Sequence, residues 1–192
     1  MAHTPRITSS INDLNALRGS QIINLLKGVA SRGNKIFCNN RSIGGRAFVI
    51  SVSDSVETGN EFTTWRFKTY VSQFHAMYYE KWIPLENDIY FLERAYLHIY
   101  KTKQTKFEEE EYILLHCDVS EPDDAEHAKY KQSPHLHIKS AEHPLPHAHI
   151  ALNNCDLNTT LSSLDNLNIA LQKSIEMIDN QVLLELTNFI DQ

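Results

Sequence analysis

Glycine, proline and cysteine are scarce in this sequence of 192 residues, which has six glycines, six prolines and three cysteines. So few glycines and prolines exclude a collagen-like chain and argue against a disordered one. No apolar run approaches the roughly 18 residues of a membrane span. The N-terminus also lacks the charged and apolar regions of a secretory signal peptide. With 42% hydrophobic residues, the sequence predicts one soluble domain over residues 1–192.

The cysteines indicate a cellular compartment, and the net charge argues against one class of binding partner. Cys38, Cys117 and Cys155 are odd in number and form no CxxC pair, which argues against a disulfide framework and favours a reducing cytoplasm. The formal charge of −6, from 18 basic and 24 acidic residues, disfavours a protein that coats nucleic acid along its whole surface. No glycine-rich motif has the spacing of a dinucleotide-binding or P-loop sequence.

Hydrophobic patterning predicts an α+β fold. Residues 10–31 have helical periodicity, and so does a stripe of apolar residues over 157–191. The region 43–152 consists of short runs rich in β-branched and aromatic residues, separated by turn sequences too short for parallel crossovers. We therefore predict an antiparallel meander of about six or seven strands, flanked by N-terminal helices and a long C-terminal helix. The predicted strands cover residues 45–53, 61–72, 75–83, 89–101, 109–118, 134–139 and 147–152.

The ends of the two helical regions carry recognisable signals. Ser9 or Ser10 is expected to cap the first region, which Gly19 is expected to split into two pieces. Thr159 or Thr160 is expected to cap the second. A single helix over 157–191 is long for a domain of this size, so it either breaks near Asp179 or extends into a partner. Its apolar stripe either covers the sheet or forms a subunit contact.

Histidine is unusually frequent. Five of the ten histidines lie between His135 and His149. Side chains alternate along a strand, so His135, His137 and Lys139 share one face of one strand, and His147 and His149 share one face of the next. Two hairpin registers keep both apolar sets in the core. One places His137 opposite His149, and the other places it opposite His147.

Three interpretations of this histidine hairpin remain open. In the first, His135, His137, His147 and His149 bind a divalent metal such as zinc or manganese. In the second, His137 and His149 act as acid and base without a metal, Lys139 contacts an anionic oxygen and Glu142 transfers protons. In the third, the histidines only complete a polar sheet face. Whether His98 and His116 join that face depends on strand order.

The hairpin also carries two resemblances. His135-Leu136-His137 followed by Glu142 is similar to the first half of the cupin metal motif, which implies a metal on these two histidines and the glutamate. Over about residues 90–180, a meander that ends in Pro-His-x-His, a polar stretch and a C-terminal helix resembles the TumE-type toxins of bacterial toxin-antitoxin systems. That likeness implies a toxin or defence setting and an RNA target.

Two functions follow as hypotheses. The first is a hydrolase-like protein whose histidine site cleaves a phosphodiester or similar anionic substrate with the help of a metal. The second is a non-catalytic subunit, a homo-oligomer or a protein that binds a partner through residues 157–191. Neither hypothesis involves a membrane.

Overall fold

A computed structural model describes residues 7–57, 61–102, 109–118, 135–138, 148–151 and 162–185. Within these residues the chain forms one antiparallel sheet, with helical segments that precede and follow it. The predicted α+β class is confirmed. The strands are β1 (Thr8–Ser10), β2 (Phe37–Ile43), β3 (Ala47–Ser53), β4 (Phe67–Lys68), β5 (Phe74–Pro84), β6 (Ile89–Thr102), β7 (Glu109–Asp118), β8 (His135–Ile138) and β9 (Ala148–Ala151).

The sheet is a meander with two short additions. Its order is β2-β3-β5-β6-β7-β8-β9, while β1 pairs with the start of β6 and β4 pairs with β5. Tight turns explain the antiparallel neighbours. Gly44 and Gly45 join β2 to β3 with φ of +53° and +67°, a backbone conformation that glycine adopts without steric cost.

The first helical region runs from α1 (Ile11–Asp13) through a π-helical turn (Leu14–Arg18) into α2 (Gly19–Leu26). Ser10 caps it by accepting a hydrogen bond from the Asp13 amide at 3.1 Å, as predicted. The predicted split at Gly19 is wrong, because this residue has helical φ and ψ of −58° and −42°. A Cβ at Gly19 would lie 3.3 Å from Cys38 Sγ, so the glycine allows close packing against β2. The helix ends at Leu26, five residues before the predicted end.

The C-terminal helix α3 (Leu164–Ile178) continues into a π-helical turn (Asp179–Leu183). Ser163 caps it from an extended conformation and accepts the Asn166 amide at 3.1 Å. The predicted cap at Thr159 or Thr160 is therefore wrong. Near Asp179 the helix widens rather than breaks. The remaining parts of the predicted range, 157–161 and 186–191, lie outside the described residues.

Two sequence predictions about strands also require correction. Residues 61–72 do not form one strand, because Phe62–Thr64 is a short 3-10 helix and only Phe67–Lys68 pairs with β5. The Thr64 hydroxyl and amide both donate to the Glu61 carbonyl, at 2.7 and 2.8 Å, and such local bonds compete with strand pairing. Strands β1 and β2 were not predicted, since neither sequence has the apolar alternation of a half-buried strand.

The core lies between one face of the sheet and the helices. The apolar stripe of α3 supplies Leu167, Leu171, Ile175 and Ile178, all buried in the same cluster as Leu97 and Ile99 of β6. The stripe therefore covers the sheet, which is one of the two predicted roles. Within the described part of the chain, no helix is both long and apolar enough to cross a lipid bilayer.

Candidate functional site

Strands β8 and β9 carry the histidines of the predicted hairpin, and their register shows which of these residues lie opposite one another. His137 of β8 lies opposite His149 of β9, and His135 lies opposite Ala151. This pairing matches the first of the two predicted registers. Three other predicted site residues, His147, Lys139 and Glu142, lie outside the described residues.

The same pairing continues across β7 into β6. His137 lies opposite Leu114, and Leu114 lies opposite His98. In the neighbouring row, His135 lies opposite His116, and His116 lies opposite Tyr96. Two rows of backbone positions therefore connect β6 to the histidine strands, and both rows include histidines from outside the hairpin.

Alternate residues of β6 form an aromatic row that consists of Tyr96, His98 and Tyr100. The ring centroids of Tyr96 and His98 are 5.5 Å apart, and those of His98 and Tyr100 are 5.8 Å apart with the rings inclined by only 20°. The Tyr100 hydroxyl lies 3.1 Å from His98 Nδ1. Tyr79 of β5 packs edge-on against Tyr96 at 5.2 Å.

An arginine lies over each end of the aromatic row. The guanidinium carbon of Arg94 is 5.6 Å from the centroid of Tyr96, and that of Arg66 is 4.5 Å from the centroid of Tyr100. These distances are typical of cation–π contacts. Arg94 Nε also donates to the Glu93 carboxylate at 3.1 Å, which offsets positive charge at the Tyr96 end of the row. The Arg66 guanidinium, at the Tyr100 end, favours an anion on this side of the sheet.

The chemistry of the row depends on His98. An imidazole nitrogen next to a phenol hydroxyl can accept its proton in a hydrogen bond, and the other ring nitrogen then carries the hydrogen. The row therefore offers an oriented imidazole between two charged guanidinium groups. Among the side chains that the structure describes, no group of three histidine, cysteine, aspartate or glutamate residues could hold a metal ion.

A second polar cluster lies inside the core, on the other face of the sheet. The Glu80 carboxylate accepts hydrogen bonds from Arg18, from the Tyr78 hydroxyl at 2.7 Å and from the Trp82 indole at 2.9 Å. Arg18 also donates from Nη1 to Asn168 of α3 at 2.6 Å. Burial is the largest single influence and opposes the charge of Arg18, but the Glu80 carboxylate and the Tyr78 hydroxyl together outweigh it, so the Arg18 pKa is raised. This buried cluster joins a helix, a strand and α3.

Sequence reasoning did not identify the buried cluster, although a signal for it exists. Glu80 falls between Tyr78 and Trp82 at alternate positions of a strand, where an apolar residue is expected. Arg18 falls in the apolar stripe of the first helix, four residues after Leu14. Two opposite charges, each at a position that predicts burial, indicate a buried pair.

A shallow cleft of about 390 Å³ lies at the end of α3 and is lined by Ser31, Arg32, Tyr70 and Leu184. The Tyr70 hydroxyl donates to Asp179 at 2.6 Å. Burial first, and then this hydrogen bond and the Asp179 charge, raise the Tyr70 pKa. The bond joins the π-helical turn of α3 to the loop that precedes β5, so its evident role is structural.

No protein-family model, no curated protein and no solved structure gives a significant match to the chain.

Proposed function

We propose that the sheet face that carries the aromatic row is a hydrolytic site for a phosphodiester or a similar anionic substrate. One observation supports the proposal: the register aligns His137 with His149 and His98, and aligns His135 with His116 and Tyr96. Residues directly opposite one another in an antiparallel pair project to the same face. We therefore infer that five histidines from four adjacent strands share this face.

The spacing of the strands suggests which residues bind a metal and which contact the substrate. Neighbouring strands are roughly 4.8 Å apart, and we propose that His135, His137 and His149 converge on one ligand. Together with His147 they are the proposed ligands of a zinc or manganese ion, which would supply Lewis-acid catalysis. Lys139 is proposed to contact the anionic substrate and Glu142 to transfer protons.

The proposed reaction needs only water as a second reactant. Glu142, or a neutral imidazole that does not bind the metal, takes a proton from the attacking water while the water oxygen forms a bond to phosphorus. The bond from phosphorus to the leaving oxygen then breaks, and a protonated imidazole returns a proton to that oxygen. The Arg66 guanidinium over Tyr100 favours the approach of the anion. An RNA phosphodiester and a toxin or defence setting, which the TumE resemblance implies, belong to the same proposal.

The decisive experiment combines metal analysis with an assay. We expect protein purified without a histidine tag to retain zinc or manganese, and to cleave bis(p-nitrophenyl) phosphate or a labelled single-stranded RNA. His137→Ala combined with His149→Ala should abolish metal retention and cleavage. His75→Ala is the histidine control. His75 lies on β5, four strands from β9, and it is opposite Tyr100 rather than opposite a proposed metal ligand, so this variant should leave both unchanged.

Two results would contradict the proposal. The metal version fails if the protein holds less than about a tenth of a metal per chain and if added zinc or manganese does not raise the melting temperature, because a ligand that binds the native state must stabilise it. The acid–base version fails as well if the double variant folds and keeps full activity.

A non-catalytic interaction protein is the second candidate. Two apolar side chains of the C-terminal helical region face solvent, with Ile169 55% exposed and Leu184 47% exposed. An apolar side chain in a binding surface commonly remains exposed until the partner binds. If this function is correct, Ile169→Asp should remove a binding partner in a pull-down, whereas Lys173→Asp on the same helix should not.

A further inference from the structure

Strand β2 (Phe37–Ile43) lies at one end of the sheet. In the described residues it pairs with β3 alone, over seven residue pairs from Phe37 opposite Ser53 to Ile43 opposite Ala47. An end strand of this kind presents backbone amide and carbonyl groups with which another strand can pair.

The turn after β2 shows which of its backbone groups point away from the sheet. The Ile43 carbonyl accepts the Arg46 amide at 2.9 Å, so the backbone groups of Ile43 point towards β3. In an antiparallel pair the direction alternates from one residue to the next. Phe37, Asn39 and Arg41 therefore also bond to β3, and the amides and carbonyls of Cys38, Asn40 and Ser42 point outward.

Strand β2 has few of the features that normally prevent edge pairing. Its sequence, Phe-Cys-Asn-Asn-Arg-Ser-Ile, contains no proline and no lysine, and both residues are common on protected edges. Its register with β3 is unbroken, whereas the β5–β6 and β6–β7 pairs each contain a bulge. An edge with an unbroken register and one charged residue is suited to strand addition.

We infer that β2 is a dimer interface at which it pairs, antiparallel, with β2 of a second copy of this chain. The twofold axis passes through Asn40, so Asn40 faces its counterpart and Cys38 faces Ser42 of the second copy. Each of the three outward-facing residues then exchanges both backbone groups with its opposite residue. In this register every outward-facing backbone amide and carbonyl from Cys38 to Ser42 forms a hydrogen bond across the interface.

The sequence favours a second copy over a different strand. With the axis at Asn40, Phe37 faces Ile43, and the single charge, Arg41, faces Asn39. An axis at Arg41 would place two guanidinium groups directly opposite one another, which is unfavourable. Two copies of β2 can therefore pair antiparallel without opposing like charges when the axis lies at Asn40.

Two residues of the first helical region contact β2 at residues that face outward in the proposed dimer. Asn15 accepts a hydrogen bond from Asn40 Nδ2 at 3.2 Å, and Gly19 lies against Cys38. Neither residue carries a bulky side chain. In the proposed register opposite residues keep the same face, so both helical layers lie on the same side of the joined sheet.

Asn40→Pro and Asn40→Ala provide a matched test in the full-length chain. Both lose the contact with Asn15, but only proline loses the outward amide and places its ring at the axis. In sedimentation equilibrium over a range of protein concentrations, we expect the wild type and Asn40→Ala to dimerise and Asn40→Pro to remain monomeric. A wild type that is monomeric throughout, or a folded Asn40→Pro protein that dimerises as well as the wild type, would overturn the proposal.

Asn40→Asp decides the question if the proline variant does not fold. Asn40 is exposed, so the acidic substitution should leave the monomer intact. It places two carboxylates opposite one another at the axis, which should weaken dimerisation by about fivefold or more. Dimerisation should recover as pH falls to about 4, where aspartate becomes protonated. An unchanged dissociation constant at pH 7 would contradict the interface.

Discussion

Arg18 and Glu80 are 62 residues apart in the chain and form a fully buried ion pair, in which Arg18 Nε lies 3.1 and 3.0 Å from the two carboxylate oxygens. Their side chains are 1% and 0% exposed. A buried ion pair adds little net stability compared with a well-packed apolar pair, but the loss of one partner is costly, because the other charge then remains buried without compensation.

Glu80→Gln should therefore destabilise the protein strongly. The amide has nearly the same shape and retains an acceptor oxygen, but it leaves the Arg18 guanidinium without a counter-charge. We expect a loss of about 3–5 kcal/mol in the free energy of unfolding, measured by urea denaturation.

The double variant Arg18→Met with Glu80→Gln is the control. Methionine removes the uncompensated charge and fills a similar volume, so the double variant should be more stable than Glu80→Gln alone. The single variant Arg18→Met completes the cycle. If the losses of unfolding free energy in Arg18→Met and Glu80→Gln add up to the loss in the double variant, the two residues are not energetically coupled.

The contact between Gly19 and Cys38 predicts an unusual coupling. Gly19 is helical, and alanine is about 1 kcal/mol better than glycine inside a helix. The added Cβ would lie 3.3 Å from Cys38 Sγ, so steric strain should cancel this gain in the wild type. When Cys38 is also replaced by alanine, Gly19→Ala should become stabilising. A double-mutant cycle from thermal melts measures this coupling, and additive effects would show that the contact imposes no strain.

Stability at alkaline pH should depend on the Cys38 thiol. Burial, and then the nearby Glu80 charge, raise its pKa from 9.0 to about 12. Between these values the folded chain holds a proton that the unfolded chain has lost, so the stabilisation is complete below about pH 9 and falls as pH rises. The slope should reach at most about 1.4 kcal/mol per pH unit.

Cys38→Ala isolates this effect. The variant lacks the thiol but keeps every tyrosine, including Tyr70, whose raised pKa acts in the same direction. Its free energy of unfolding, measured in urea from pH 8 to pH 11 under reducing conditions, should therefore fall less steeply than that of the wild type. Identical slopes would mean that the thiol titrates normally in the folded protein.

The hydrogen bond between Tyr100 and His98 should fix the position of the imidazole hydrogen. If the Tyr100 hydroxyl donates to Nδ1, the neutral ring carries its hydrogen on Nε2. The ¹⁵N shifts of His98 in the wild type should show this tautomer, and Tyr100→Phe should shift the ring towards a mixture of both. A wild-type ring that already populates both tautomers would show that the bond does not orient His98.

The sequence predicted the central strands well because their alternation is strong. The segments predicted at 75–83, 89–101 and 109–118 agree with β5, β6 and β7 to within one residue at each end. In each of these strands one face meets the helices, and burial of that face requires a period of two. The polar strand β2 has no such pattern, because its position at the edge of the sheet demands less burial.

Tertiary arrangement explains what could not be predicted. The pairing of His137 with His149 was one of two registers that satisfied the alternation, and only strand order places His98 in the same row. The partnership of Arg18 with Glu80 depends on which helix covers which strand. Local periodicity contains no information on that choice.

The hydrogen bond from Arg18 to Asn168 spans 150 residues of chain and has a consequence for biosynthesis. On a ribosome, the N-terminal helix and most of the sheet emerge well before α3, so the apolar face around Leu97 and Ile99 has no α3 to cover it during most of translation. Exposed apolar surface and unpaired strand edges promote aggregation. A nascent chain that stalls before Asn168 should therefore depend on chaperones, whereas a completed chain can cover its own core.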